Sequence, residues 1–131
     1  MSAPPVTLKI ERLGAQGDGV AEYEGRQVFV PLTLPGETVE AEIEGTRARV
    51  LRILEAAPDR APARCSHYGE CGGCTLQHLP AELYRTLKRD LVTNALSFEG
   101  IDAKVDNVVI IPPATRRRAV FAAHRQGKQV V

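Results

Sequence analysis

The stretch RCSHYGECGGCTLQHL, residues 64–79, holds every cysteine of the chain, Cys65, Cys71 and Cys74, spaced C-x5-C-x2-C. Thiols grouped this closely are good metal ligands, because the thiolate is soft, anionic and able to bind zinc or iron. Such sites take four ligands, so one is missing from the cysteine set. Three chemistries fit the spacing. A structural zinc ion would complete its shell inside the chain with His67 or His78. A redox pair would use Cys71 and Cys74 but would leave Cys65 idle, and the segment does not follow a parallel-sheet strand. An iron–sulfur cluster would take all three and a fourth cysteine remote in sequence. Gly72 and Gly73 let the backbone fold tightly around any of these. Spacing alone leaves zinc and iron–sulfur level. Thiols buried as small core side chains fit poorly, since the segment is rich in glycine, histidine and glutamate.

The elements around this cluster must carry it. With 131 residues the chain has room for one ordinary domain, or for a small domain and part of another. A 44% hydrophobic and 25% charged composition is globular and argues against wholesale disorder. The N-terminal stretch has no apolar leader, and no run is long and apolar enough to span a bilayer, so the expectation is a cytoplasmic protein. An odd cysteine count, with none in the first sixty residues, excludes a secreted disulfide scaffold. The formal charge of +1 is unevenly spread, with a net of −3 over residues 1–60 and +4 over residues 61–131. The second half is therefore the better candidate to face a polyanion.

Residues 6–13 alternate as a half-buried strand, with Val6, Leu8 and Ile10 on one side. Glycines and Asp18 then turn the chain. Residues 20–23 and 27–30 read as a hairpin across Glu24-Gly25-Arg26. Residues 38–44 alternate again, with Val39, Ala41 and Ile43 inward and Glu40, Glu42 and Glu44 outward. Residues 47–54 form the last of five short strands, and so few residues close their sheet edges best as a small, bent barrel. Residues 59–64 are rich in proline and alanine and read as a linker. Beyond the cysteines, Pro80 opens a helix whose stripe of Leu79, Leu83, Leu87 and Leu91 faces a core, and Gly100 stops it. Residues 105–111 are expected as a strand closed by Pro112-Pro113, followed by Arg116, Arg117 and Arg118 and a strand-like AVFAA. Gly127-Lys128 should turn a hairpin whose return strand begins at Val130-Val131. The chain reads as the N-terminal piece of something longer.

The pattern C-x5-C-G-G-C-x-x-Q-H, followed by Tyr84 and Lys88 on a helix, resembles the iron–sulfur segment of the bacterial RNA 5-methyluridine methyltransferases. Residues 6–56 resemble their TRAM domain, an OB-like RNA-binding barrel, through the G-D-G-V-A turn, V-F-V-P and P-G-E-T-V. Arg116-Arg117-Arg118-Ala119 is similar to a family Y-R-R-R-A motif, with Thr115 where an aromatic is usual. The resemblance implies a mainly β fold: a five-stranded OB-like barrel over residues 1–58, then a cysteine-rich loop, one α-helix and the start of an α+β central domain over residues 65–131. It implies Cys65, Cys71 and Cys74 as ligands of a 4Fe–4S cluster, with the fourth ligand expected beyond residue 131. It also implies an S-adenosylmethionine-dependent, monomeric enzyme that methylates C5 of a uridine in ribosomal or transfer RNA, whose catalytic residues are not in this chain. Candidate RNA contacts are Lys9, Arg26, Arg47, Arg49 and Arg52 on the barrel, with Arg116, Arg117 and Arg118 beyond the helix. Tyr23 and Phe29 could stack bases, although Phe29 lies in an apolar run that suggests the core. The alternative is a stand-alone, non-catalytic RNA-binding module with a structural zinc site.

Overall fold

A computed structural model of the protein describes residues 4–130. Residues 1–3, which open the expected first domain, and Val131, expected in the final return strand, lie outside the described residues. Five strands, β1 (Val6–Leu13), β2 (Gly19–Tyr23), β3 (Arg26–Val30), β4 (Thr38–Glu44) and β5 (Arg47–Glu55), close into a barrel in the order β1-β2-β3-β5-β4. Every neighbouring pair is antiparallel except β3 with β5, which run parallel and pair at Phe29 and Arg47. Closure leaves no strand edge for another chain to join.

The alternation dictates which residues fill the barrel. Leu8, Ile10, Ala21, Val28, Val30, Val39, Ala41 and Ala48 are buried together in its core. Val28 and Val30 point inward, so Phe29 between them sits half-buried on the outer face, against Gly14. Tyr23 instead packs on the core. Both rings are half-buried, Tyr23 against the core and Phe29 on the outer face. The hairpin between β2 and β3 is tighter than expected: Glu24 and Gly25 alone turn it, with φ of 50° and 75°, the positive pair that a two-residue turn of matching twist requires. In the β4–β5 ladder, Ala41 pairs with Val50 and Glu40 with Arg52, while Val39 pairs with Ile53 and Thr38 with Glu55. Leu51 and Leu54 are the extra residues at these two bulges, and both side chains are exposed.

Helix α1 (Ala81–Phe98) begins after Pro80 in extended conformation and carries Glu82 in its first turn, where the helix dipole favours an acid. Gly100, with φ of 74°, ends it as the sequence indicated. The Gly100 N–H donates to the Ser97 carbonyl and the Ile101 N–H to the Leu96 carbonyl, which is the Schellman arrangement that satisfies the last carbonyls. Leu83, Tyr84, Leu87 and Leu91 pack with Leu34, Leu79, Leu13, Ala57 and Leu76 in a second apolar cluster against the barrel. Only Leu87 of the helix is fully buried. No helix among the described residues is long and apolar enough to cross a membrane.

Two expected strands are corrected. Residues 105–111 and the AVFAA segment adopt no regular structure, and Val109, Ile111, Val120 and Phe121 are strongly exposed. A strand needs a neighbouring strand for its backbone groups, and among the described residues no strand pairs with either segment. The expected hairpin at Gly127-Lys128 is present, as β6 (Arg125–Gln126) and β7 (Gln129–Val130).

Candidate functional site

The loop that leaves β3, Pro31 to Glu37, is the surface on which Ala57, Arg60, the cysteine loop and the first half of α1 rest. Leu32 holds a left-handed φ of 66°, unfavourable for a residue with a Cβ. Its side chain comes within 3.7 Å of the position a Cβ on Gly69 would take, so it lies against the cysteine loop. Leu34 enters the second apolar cluster. Glu37 is wholly buried yet charged, and its carboxylate is fully occupied. It accepts from the backbone N–H groups of Leu34 (2.9 Å) and Ala57 (3.2 Å), and both oxygens accept from Nη1 of Arg60 (3.0 and 2.9 Å). Arg60 also donates to the strained Leu32 carbonyl at 3.0 Å. A buried carboxylate is tolerated only with this degree of pairing. The segment 59–64, expected as a linker, is thereby pinned to the barrel.

His78 makes the next link. It is only 1% exposed. Its Nε2 lies 3.0 Å from the Thr33 carbonyl and its Nδ1 lies 2.6 Å from the Tyr68 hydroxyl. A carbonyl can only accept, so Nε2 carries the proton and Nδ1 accepts from Tyr68. Burial pulls the His78 pKa down, the Thr33 bond and Glu37 oppose this, and the charge of Arg60 adds to it. Burial likewise raises that of Tyr68. The backbone is held as well, since the Ala61 N–H donates to the His78 carbonyl at 3.0 Å. With both ring nitrogens committed, His78 is not available as the fourth ligand of a zinc site. His67 stays exposed.

The cysteine loop rises from this base. Gln77 Oε1 accepts from the N–H groups of Arg64 (3.1 Å) and Cys65 (3.2 Å). Short turns follow, with Tyr68 N–H to the Cys65 carbonyl and Cys71 N–H to the His67 carbonyl. Gly69 and Gly72 take φ of 92° and 74°, conformations that a side chain would resist. Cys65, Cys71 and Cys74 are all free thiols and all exposed. Their chemistry fits a thiolate-held group: three thiols, none spent in a disulfide, on one exposed loop with glycine pivots. Among the described residues, however, no three cysteine, histidine or acidic side chains converge on a point where an ion could sit.

The basic candidates divide. Arg47 pairs with Asp18 at 2.9 Å, Arg49 with Glu42, and Arg52 with Glu40 through two nitrogens. These arginines are answered by the outward acids of β4 and by the β1–β2 turn, and each exposed pair contributes only about 0–1 kcal/mol. Lys9 and Arg26 have no ion pair among the described residues. Arg116, Arg117 and Arg118 are exposed in an irregular segment, so no strand alternation sets the directions in which they point. On α1, Lys88 lies 5.4 Å from the centre of the Tyr84 ring. Together they line a groove of about 480 Å³ between the helix and residues 105–111.

Sequence reasoning missed Glu37, Arg60, Tyr68, Gln77 and His78 as a connected system. Gln77 and His78 stood inside the cysteine motif, but their partners at residues 33, 64 and 68 are set by tertiary packing alone.

Residues 6–52 match the TRAM domain family. Over nearly its whole length the chain is similar to curated proteins named RNA methyltransferases. One from Mesorhizobium japonicum is 52% identical over 116 residues, covering 88% of this chain and 28% of that protein. Another from Caulobacter vibrioides is 48% identical over 122 residues, covering 92% and 29%. A third, from Shewanella denitrificans, is named a 23S rRNA (uracil(1939)-C(5))-methyltransferase and is 34% identical over 133 residues, covering 93% and 28%. The chain thus spans less than a third of the length of these relatives.

Proposed function

We propose that the chain belongs with the bacterial RNA methyltransferases and forms the RNA-gripping N-terminal part, with its TRAM domain, of an enzyme that methylates C5 of a uridine. The observation that carries this reading is the likeness to a named 23S rRNA uracil-C5 methyltransferase along 93% of the chain. Ribosomal RNA is accordingly the preferred substrate, ahead of transfer RNA.

C5 of uracil is a weak nucleophile. Addition of a thiolate at C6 makes an enolate that can take a methyl group from S-adenosylmethionine, after which a base removes the C5 proton and the thiolate leaves. In our reading those groups lie in the more than two thirds of the relatives that this chain does not span, and the 131 residues are inactive alone. Their task is to hold RNA while the target base is turned out of its stack.

Cys65, Cys71 and Cys74 would supply three of the four thiolates of a 4Fe–4S cluster. When bound, the cluster would staple a segment that has few apolar side chains of its own, coupling its binding to folding. Of the two histidines the competing zinc reading could use, His78 is taken up by Tyr68 and Thr33, which leaves His67.

The test is methyl transfer by the full-length protein to ribosomal RNA labelled with tritium at C5 of uracil. S-adenosylmethionine-dependent tritium release from one site is expected. Methylation elsewhere on the RNA, or none, overturns the proposal. An anaerobic absorption spectrum with iron and sulfide analysis decides the metal separately.

A further inference from the structure

The three thiols differ in how they are held. Cys65 stands at the neck of the loop, where the two chain segments that enter and leave it are cross-tied. Gln77 Oε1 receives two consecutive backbone donors, from Arg64 and Cys65. The next residue, His78, is bound through its ring to Thr33 and Tyr68, and through its carbonyl to Ala61. Cys65 is therefore one side chain removed from a residue anchored in the barrel. Cys71 and Cys74 ride on the far part of the loop, beside Gly72 and Gly73, and no side chain among the described residues holds their backbones.

We propose that Gln77 is a positioning residue for Cys65: it makes this thiol the fixed member of the set, against which Cys71 and Cys74 move to close on a metal group. The inference rests on the reading of the three cysteines as ligands, and it goes beyond that reading by assigning the order in which they are organised. A ligand held in advance loses little freedom on binding, whereas two ligands on glycine pivots can adjust. Gln77 also occupies the Arg64 and Cys65 N–H groups, so neither is free to donate to a thiolate sulfur.

The experiment uses the full-length protein prepared without metal and compared with the iron-loaded form. Variants are Gln77→Ala, which removes the acceptor, and Gln77→Glu, which keeps an oxygen in place. Amide hydrogen exchange at residues 64–65 and the alkylation rate of each cysteine are followed by mass spectrometry. Loss of the shared acceptor predicts a rise of roughly fivefold or more in exchange at Arg64 and Cys65 for Gln77→Ala. Alkylation of Cys65 should quicken while Cys71 and Cys74 keep their rates, and Gln77→Glu should restore both readings. Iron should leave the loaded Gln77→Ala protein faster when a chelator is added. Unchanged exchange at residues 64–65, or equal acceleration at all three cysteines, overturns the assignment. A protein that never takes up iron would refute the cluster, yet the exchange and alkylation data would still decide the role of Gln77.

Discussion

His78 is a buried histidine that favours its uncharged form. Its Nδ1 accepts from Tyr68 and its Nε2–H donates to Thr33, and burial holds its pKa below the ordinary value. The groups that face it are Tyr68, the Thr33 carbonyl, and the charges of Arg60 and Glu37, which act in opposite senses. The unfolded chain takes up a proton on this residue as pH falls through about 6.5, and the folded protein does not. Stability is therefore complete above that value and is lost below it, until the folded imidazole itself is protonated. The urea midpoint of the protein should fall between about pH 8 and about pH 5.5. In a His78→Gln variant the midpoint should be lower throughout but flat across the same window. A wild-type midpoint that ignores pH, or a variant that keeps the full slope, would contradict this role.

At the scale of elements, the contact between α1 and the barrel depends on a missing side chain. A Cβ on Gly17 would sit 2.5 Å from Leu76 and 3.3 Å from Leu87, and the residue holds φ of 84°. At Gly25, with φ of 75°, the same atom would meet open space. Gly25→Ala should therefore cost only the left-handed backbone, about 1 kcal/mol. Gly17→Ala should cost that and a further 1–3 kcal/mol, roughly, for displacing the two leucines. Chemical denaturation of both variants separates the cases, and equal losses would show that the helix does not press on this turn. The five strands could be read from alternation, and the helix from its leucine stripe and Gly100, because these signals are local. Phe29 was misleading because a run of apolar residues hides which one points inward. Residues 105–111 carry a strand-forming composition without a strand, since pairing is not a property of the segment itself. The ties made by Glu37, Gln77 and His78 were illegible for the same reason, as their partners lie 10 to 45 residues away.

For the whole molecule, the distribution of paired and unpaired cations bears on where RNA would lie. Arg49 already has Glu42 as a partner, so binding RNA with it means breaking an existing pair. Arg116 and Arg118 have no such cost among the described residues. In the full-length protein, Arg49→Gln should leave RNA affinity within about twofold, in line with an exposed pair of small net worth. Replacing Arg116 and Arg118 with glutamine should weaken binding and flatten the salt dependence by about 1.4 in slope for two single-strand phosphate contacts. Filter binding across a salt series reads both numbers, and a flatter slope in the Arg49 variant alone would move the RNA path onto the barrel. The closed barrel has one more consequence, which concerns time. Every strand that completes it lies between Val6 and Glu55, ahead of the first cysteine. A ribosome working from the N-terminus therefore brings out every strand of the barrel before Cys65 emerges. The Thr33 carbonyl and the Glu37 carboxylate are then already in place, and the cysteine loop emerges onto a finished mould.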